Sequence, residues 1–226
     1  MYMTEQIERI KRRAKHQRGS FMMETALVCW TLLFMLMGAF QMGIMLVRAI
    51  QAGEVCRNGN VLQVRGIDMS QSQNQQILIR TGPYLGMNTS GSWAPSSTGS
   101  GVIYLSKVYK VGDLECANGV SNYDGTTATC PNLGSYVIQM RITIGNTAKG
   151  TSVIGNPSDT PQSNGYLTDA QVCLNSSNVA TNFATKVNLT LTNDSYTWVA
   201  EVFADSTNFN LFNMMQAPTI YMRNIS

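Results

Sequence analysis

Three residues near the amino terminus place a cleavable bond next to an unusual charge. Gly19 and Ser20 follow a basic stretch, and Glu24 is the fifth residue after Gly19. Cutting between Gly19 and Ser20 would create a new α-amine about one helical turn from Glu24. The Glu24 carboxylate could then pair with that amine or with the amine of a neighbouring copy. The alternative is that Glu24 only caps a helix amino terminus, where the helix dipole favours an anion.

The segment that must position Glu24 is apolar. Residues 25–47 contain no formal charge. As a helix they would reach ~34 Å, enough to cross the ~30 Å hydrocarbon core of a bilayer. A buried helix of a soluble core and a secretory signal peptide are the alternatives. The length of the segment and the amphipathic stretch that follows it at 48–54 favour a retained membrane anchor.

The charge distribution predicts the orientation of that anchor. Six of the 16 Lys and Arg residues and two of the 13 acids fall within residues 1–19, which leaves ten bases and eleven acids for the rest. Because basic flanks stay on the cytoplasmic side, we expect a cytoplasmic amino terminus and an exported body. A body without a basic field also lacks the main driving force for nucleic-acid binding, so no nucleic-acid partner is expected.

A resemblance follows from the residues around Gly19. The stretch Arg18-Gly19-Ser20-Phe21-Met22-Met23-Glu24-Thr25-Ala26-Leu27-Val28 resembles the prepilin-peptidase signal of type IV pilins, and more narrowly that of TadE-like minor pseudopilins of Flp (Tad) pilus systems. Late in the chain, residues 198–203 are similar to a valine-rich segment with an acid in that family, and residues 218–223 to its closing strand. The chain departs from the family at Trp30, where a proline is common, and at 204–206, where an aromatic run is usual.

The resemblance implies partners and a location. The partners would be a prepilin peptidase, other pilins and pseudopilins, pilus platform proteins and membrane lipid. The location would be the inner membrane, crossed once, with a periplasmic or extracellular carboxyl-terminal domain that could enter a pilus.

The body reads as a strand-rich domain. Strands are predicted at 102–111, 136–144, 184–191, 196–203 and 219–225, because these stretches alternate or run in β-forming residues. A short helix is predicted at 71–80, and 49–64 should continue the first helix, frayed at Gly59. The fold class is therefore α+β: a leader at 1–19, a membrane helix and its extension at 20–64, and an exported antiparallel sheet domain at 65–226. The resemblance implies that this arrangement is pilin-like.

The chain has five cysteines, and four of them are candidates for disulfides in an oxidising compartment. Cys116 and Cys130 bracket a turn-rich loop between two predicted strands, and a bridge there would contribute ~3 kcal/mol in the loop-entropy model. Cys56 with Cys173 is a weaker prediction.

The residue content argues against catalysis. The single histidine is His16, in the leader, so a Ser-His-Asp or Cys-His arrangement in the body is impossible. No phosphate-binding loop motif and no calcium-loop spacing occurs, and we expect neither an enzyme nor a cofactor. The leading function is a structural one, in which a minor pseudopilin takes part in filament initiation, assembly or adhesion. The alternative is a permanently anchored surface adhesin or binding module that never enters a filament.

Overall fold

The computed structural model describes residues 2–167, 175–205 and 219–226, with side chains from residue 21 onward except at Ser177. The chain divides into two compact units, residues 1–46 and 47–226. Its architecture is a long amino-terminal helix followed by a four-stranded antiparallel sheet, so the fold belongs to the α+β class.

The first helix, α1 (Tyr2–Val64), begins in the first unit and ends in the second. It is terminated by Gly66, whose φ of +73° is a left-handed conformation that glycine adopts without strain. The Gly66 N–H donates to the carbonyl of Gln63 at 2.9 Å, and the Ile67 N–H donates to that of Leu62 at 3.0 Å. These two bonds satisfy carbonyls that would otherwise lack partners at the helix end.

Four strands form the sheet in the order β2-β1-β3-β4. Their bounds are β1 Gly101–Lys110, β2 Tyr136–Gly145, β3 Ser195–Ala204 and β4 Ile220–Ile225. Every pairing is antiparallel. Strands are therefore present at four of the five predicted places.

One face of the sheet packs against the carboxyl-terminal part of α1, and we call it the helix-facing face. Ile103 and Leu105 of β1 share a buried apolar cluster with Val55 of α1 and with α2 (Ser72–Thr81). The helix continues through Gly59 without fraying. A Cβ at this position would lie 2.9 Å from Leu105 Cδ2. The glycine thus allows the close approach of helix and sheet.

The predicted strand at 184–191 is wrong. Residues Phe183–Val187 form a short helix, α4. Another short helix, α3, lies earlier in the chain at Asp113–Gly119. Phe183 and Val187 are four residues apart and both are buried, so the apolar pair faces the core at a helical spacing. Asn188 follows with φ of +55° and ends the helix.

Candidate functional site

The bond predicted to be cleaved lies within α1. The helix continues through Gly19 and Ser20 without interruption. Glycine in a helix interior is ~1 kcal/mol less favourable than alanine, so this is a weak point of the helix. A peptidase acting here would have to open the helix locally.

Glu24 lies one turn after Ser20 on an exposed part of α1. It makes no hydrogen bond or ion pair with any residue that the structure describes. The neighbouring polar groups are satisfied differently: the Thr25 hydroxyl donates to the Phe21 carbonyl at 2.7 Å, and that of Thr31 to the Val28 carbonyl at 2.9 Å. The Glu24 carboxylate is therefore available for a partner outside the chain.

The apolar segment after Glu24 has the surface of a helix made for an apolar solvent. Large side chains such as Trp30, Met35 and Phe40 are more than half exposed. The helix from Phe21 onward is, among the described residues, the one long and apolar enough to cross a membrane. A helix that is apolar on all sides suits a lipid environment, because its backbone bonds are satisfied internally.

The cysteines occupy three kinds of environment. A disulfide joins Cys116 to Cys130, the pair expected from the sequence, and both are buried. Cys56 is a buried free thiol whose sulfur donates to the Met222 carbonyl at 3.3 Å, whereas Cys29 is exposed. Cys173 lies outside the described residues, and its predicted pairing with Cys56 is not formed in the structure, where Cys56 is a free thiol. Pro218, the first residue of the similar closing segment, lies outside them as well.

The opposite face of the sheet, which we call the polar face, carries a buried acid. Glu201 of β3 is fully buried and lies across from Tyr104 of β1. Its carboxylate accepts hydrogen bonds from the Ser152 hydroxyl, from the Val153 N–H at 3.0 Å and from the Tyr221 hydroxyl at 3.0 Å. Three donors thus hold the carboxylate in one position, as a buried acid requires.

Arg141 of β2 is the buried cation of the polar face. Its guanidinium carbon lies 5.3 Å from the centre of the Tyr104 ring, and Nη2 donates to the Gly155 carbonyl at 2.6 Å. Burial lowers the pKa of Arg141 to about 10, while the charge of Glu201 acts in the opposite direction. The side chain therefore stays cationic at neutral pH.

Comparison with known proteins gives no assignment. No family model, curated protein or solved structure matches this chain. The similarity of residues 18–28 and 198–203 to TadE-like pseudopilins therefore stays a prediction from the sequence.

Sequence reasoning missed the convergence on Glu201. Three donors surround Glu201, and Asp205, four residues later, forms an ion pair with Lys149 at 3.0 Å. A charged residue inside an otherwise apolar strand was the available signal. Among the described residues no group of three His, Cys, Asp or Glu side chains could hold a metal ion.

Proposed function

We propose that this chain is a minor pseudopilin of a Tad-type pilus or a related secretion filament. Two features together support the proposal: an exposed, uncharged helix at 25–47, and the carboxylate of Glu24 at its start, which has no partner among the described residues. Such a helix needs lipid or other apolar helices around it. Glu24 needs a cation in that environment, because a carboxylate at the centre of a membrane helix costs ~2.5–3.5 kcal/mol on insertion scales.

The proposed assembly follows from where that cation would come from. A prepilin peptidase cuts between Gly19 and Ser20, which removes the basic leader and leaves a positively charged amine on Ser20. In a filament, the Ser20 amine of one copy or of another pilin pairs with Glu24 of its neighbour, while the apolar helices pack laterally. The sheet domain remains outside the membrane and provides the surface used in initiation or adhesion.

Substitution of Glu24 tests the pairing. Glu24→Ala and Glu24→Gln should insert and fold as the wild type does, because Glu24 is exposed and makes no hydrogen bond or ion pair with a described residue. Both variants should remain in the membrane fraction instead of the sheared filament fraction, with loss of cross-links to other pilins. Glu54→Gln is the matched control, since it removes the same charge from an exposed position further along α1.

Two outcomes would contradict the pairing. Normal filament incorporation of Glu24→Ala would leave only the dipole-capping role. Loss of the protein from the cell would assign Glu24 to folding or to peptidase recognition.

The processing step is tested separately. Mass spectrometry of protein from a host with an active prepilin peptidase should find Ser20 at the amino terminus, and Gly19→Leu should block the cut. Retention of residues 1–19 would refute the processing step and favour the permanently anchored adhesin.

A further inference from the structure

The first residue after the apolar segment at 25–47, Arg48, is joined directly to the sheet. Its Nη1 donates to the Asp205 carbonyl at 3.3 Å, just after the last residue of β3. Arg48 belongs to the same compact unit as the sheet, so this contact is part of the folded domain. The chain therefore holds this end of the sheet within a few residues of the apolar segment.

The strands extend away from Arg48 in step with α1. Cys56, about two turns after Arg48, donates to the Met222 carbonyl at 3.3 Å, and Asn60, about one turn later, donates through Nδ2 to Asn224 Oδ1 at 2.8 Å. Four residues of helix and two residues of strand both advance by ~6 Å. The strands thus run along this part of α1, and one end of the sheet lies beside Arg48 while the other end points away.

Two more side chains lie at the end beside Arg48, and these four residues (Arg48, Tyr84, Lys149 and Asp205) are here called the proximal end. The Tyr84 N–H donates to Gln51 Oε1 at 3.1 Å, and Gln51 is less than one turn after Arg48. The Lys149 ammonium forms an ion pair with the Asp205 carboxylate at 3.0 Å. Tyr84 is 65% exposed and the Lys149 side chain is 30% exposed, so both are accessible to a partner.

We propose that the proximal end rests on the surface of the bilayer, with Tyr84 between the lipid headgroups and Lys149 against their phosphates. The headgroup layer is about 5–7 Å thick on each side of the hydrocarbon core. Gln51 lies ~6 Å along the helix from the last apolar residue, Val47, so the ring of Tyr84 can reach that layer. Tyrosine suits this position because it combines an apolar ring with a polar hydroxyl.

The charge of the proximal end is complementary to anionic lipid. Arg48 and Lys149 provide two positive charges against the single negative charge of Asp205. The next acid along α1, Glu54, lies ~9 Å further from the membrane boundary than Arg48. Each base close to an anionic membrane surface contributes about a fivefold preference for it. This inference rests on the membrane anchor of the proposed function, and it does not depend on cleavage at Gly19.

Fluorescence quenching in vesicles of phosphatidylcholine and phosphatidylglycerol tests the contact. The full-length protein carries a small fluorophore on Tyr84→Cys, and the unsubstituted protein treated with the same reagent is the blank for its own thiols. A nitroxide on the lipid headgroup should quench the label at residue 84. The label on Tyr196→Cys is the control and should keep its fluorescence, because Tyr196 is 54% exposed and lies ~26 Å along β3 from Ala204.

Lys149→Gln tests the contribution of charge. Nitroxide phosphatidylglycerol should quench the label at residue 84 more than nitroxide phosphatidylcholine at the same fraction of the bilayer. Lys149→Gln should reduce this preference by up to about fivefold. Lys186→Gln is the matched control and should not change it, because Lys186 is an exposed lysine of α4, which packs against Val108 and Ile138 towards the other end of the sheet.

Alkaline carbonate extraction of the same vesicles separates the contact from the anchor. Release of the protein would refute the anchor and the contact together. Retention with no quenching at residue 84, or with equal quenching at residues 84 and 196, would overturn the contact and leave the anchor intact. Cross-linking of two copies through residue 84, without quenching by lipid, would also overturn it and would assign the proximal end to a second copy of the chain.

Discussion

The two faces of the sheet are built from the same strands but are held in different ways. Ile103 and Leu105 point to the helix-facing face, where apolar side chains of α1 cover them. Tyr104, between them, points to the polar face with Glu201 and Arg141. Side chains alternate along a strand, so one strand supplies both environments.

The two faces of the sheet should tolerate amino-acid substitutions differently. An apolar contact is stabilising in proportion to the area it buries and has no strict direction. A buried polar group is stable only while its hydrogen-bond partners are in place, and losing one of them leaves the others exposed to the full desolvation cost. The helix-facing face should thus respond to changes in volume, and the polar face to changes in hydrogen bonding.

The largest expected effect is on the helix-facing face. Leu105→Ala should lower the free energy of unfolding by ~2–5 kcal/mol, because it removes a fully buried side chain and leaves a cavity. Urea denaturation of the full chain in detergent, followed by tryptophan fluorescence, measures it. Leu114→Ala, at a side chain that is 69% exposed, is the control and should change little. Equal losses in the two variants would contradict the assignment of Leu105 to the core.

A smaller loss is expected when the polar face loses its acid. Glu201→Gln keeps the shape of the side chain but turns an N–H group toward donors, and should cost ~1–3 kcal/mol. The same denaturation experiment applies, with the exposed Glu54→Gln as the control. If Glu201→Gln matched Glu54→Gln, the three hydrogen bonds to Glu201 would not contribute to stability.

Tyr221→Phe should have a modest effect that depends on pH. Removing its hydrogen bond to Glu201 should cost ~0.5–1.5 kcal/mol at neutral pH. Burial and then the nearby charge of Glu201 raise the pKa of Tyr221 above its ordinary value of 10.0. A raised pKa in the folded state means that the contribution of this tyrosine is present below pH 10 and is lost as the pH rises above it.

Denaturation at several pH values measures whether stability falls as the pH rises above 10. The wild type should lose stability above pH 10 more steeply than Tyr221→Phe, and the gap between them should narrow. Tyr84→Phe, at a tyrosine that is 65% exposed, is the control. If the difference in the free energy of unfolding between the wild type and Tyr221→Phe widened as the pH rose, this prediction would be wrong.

The smallest effect should come from a hydroxyl without a partner. Ser106 is fully buried, and its Oγ has no hydrogen-bond partner among the described residues. Ser106→Ala should therefore leave stability unchanged within ~0.5 kcal/mol or raise it slightly. Ser152→Ala is the matched comparison, since that hydroxyl donates to Glu201 and its loss should cost ~1 kcal/mol. Thermal unfolding of the two variants side by side separates them.

Local patterns predicted most of the elements and little of the polar face. Alternation indicated the strand that became β1, and runs of β-forming residues indicated those that became β2 and β3. Alternation was wrong at 184–191, because Val187 and Phe183, which lies just before that stretch, are both buried at the four-residue spacing of a helix. The bonds to Glu201 could not be predicted, since Ser152 and Tyr221 reach it from distant parts of the chain and only the three-dimensional register brings them together.

The same separation along the chain has a consequence for folding kinetics. β1 lies in the middle of the sheet, and its neighbour β3 is synthesised much later, with Gly101 pairing with Ala204. The β1–β2 pair and the Cys116–Cys130 bridge are local and can form early, whereas the pairing of β1 with β3 must await residue 204. Contacts of such long range slow folding and leave apolar strand surfaces open in the meantime. Until β3 arrives, β1 has one strand edge that another chain can occupy, and the demand for chaperones should be greatest in that interval.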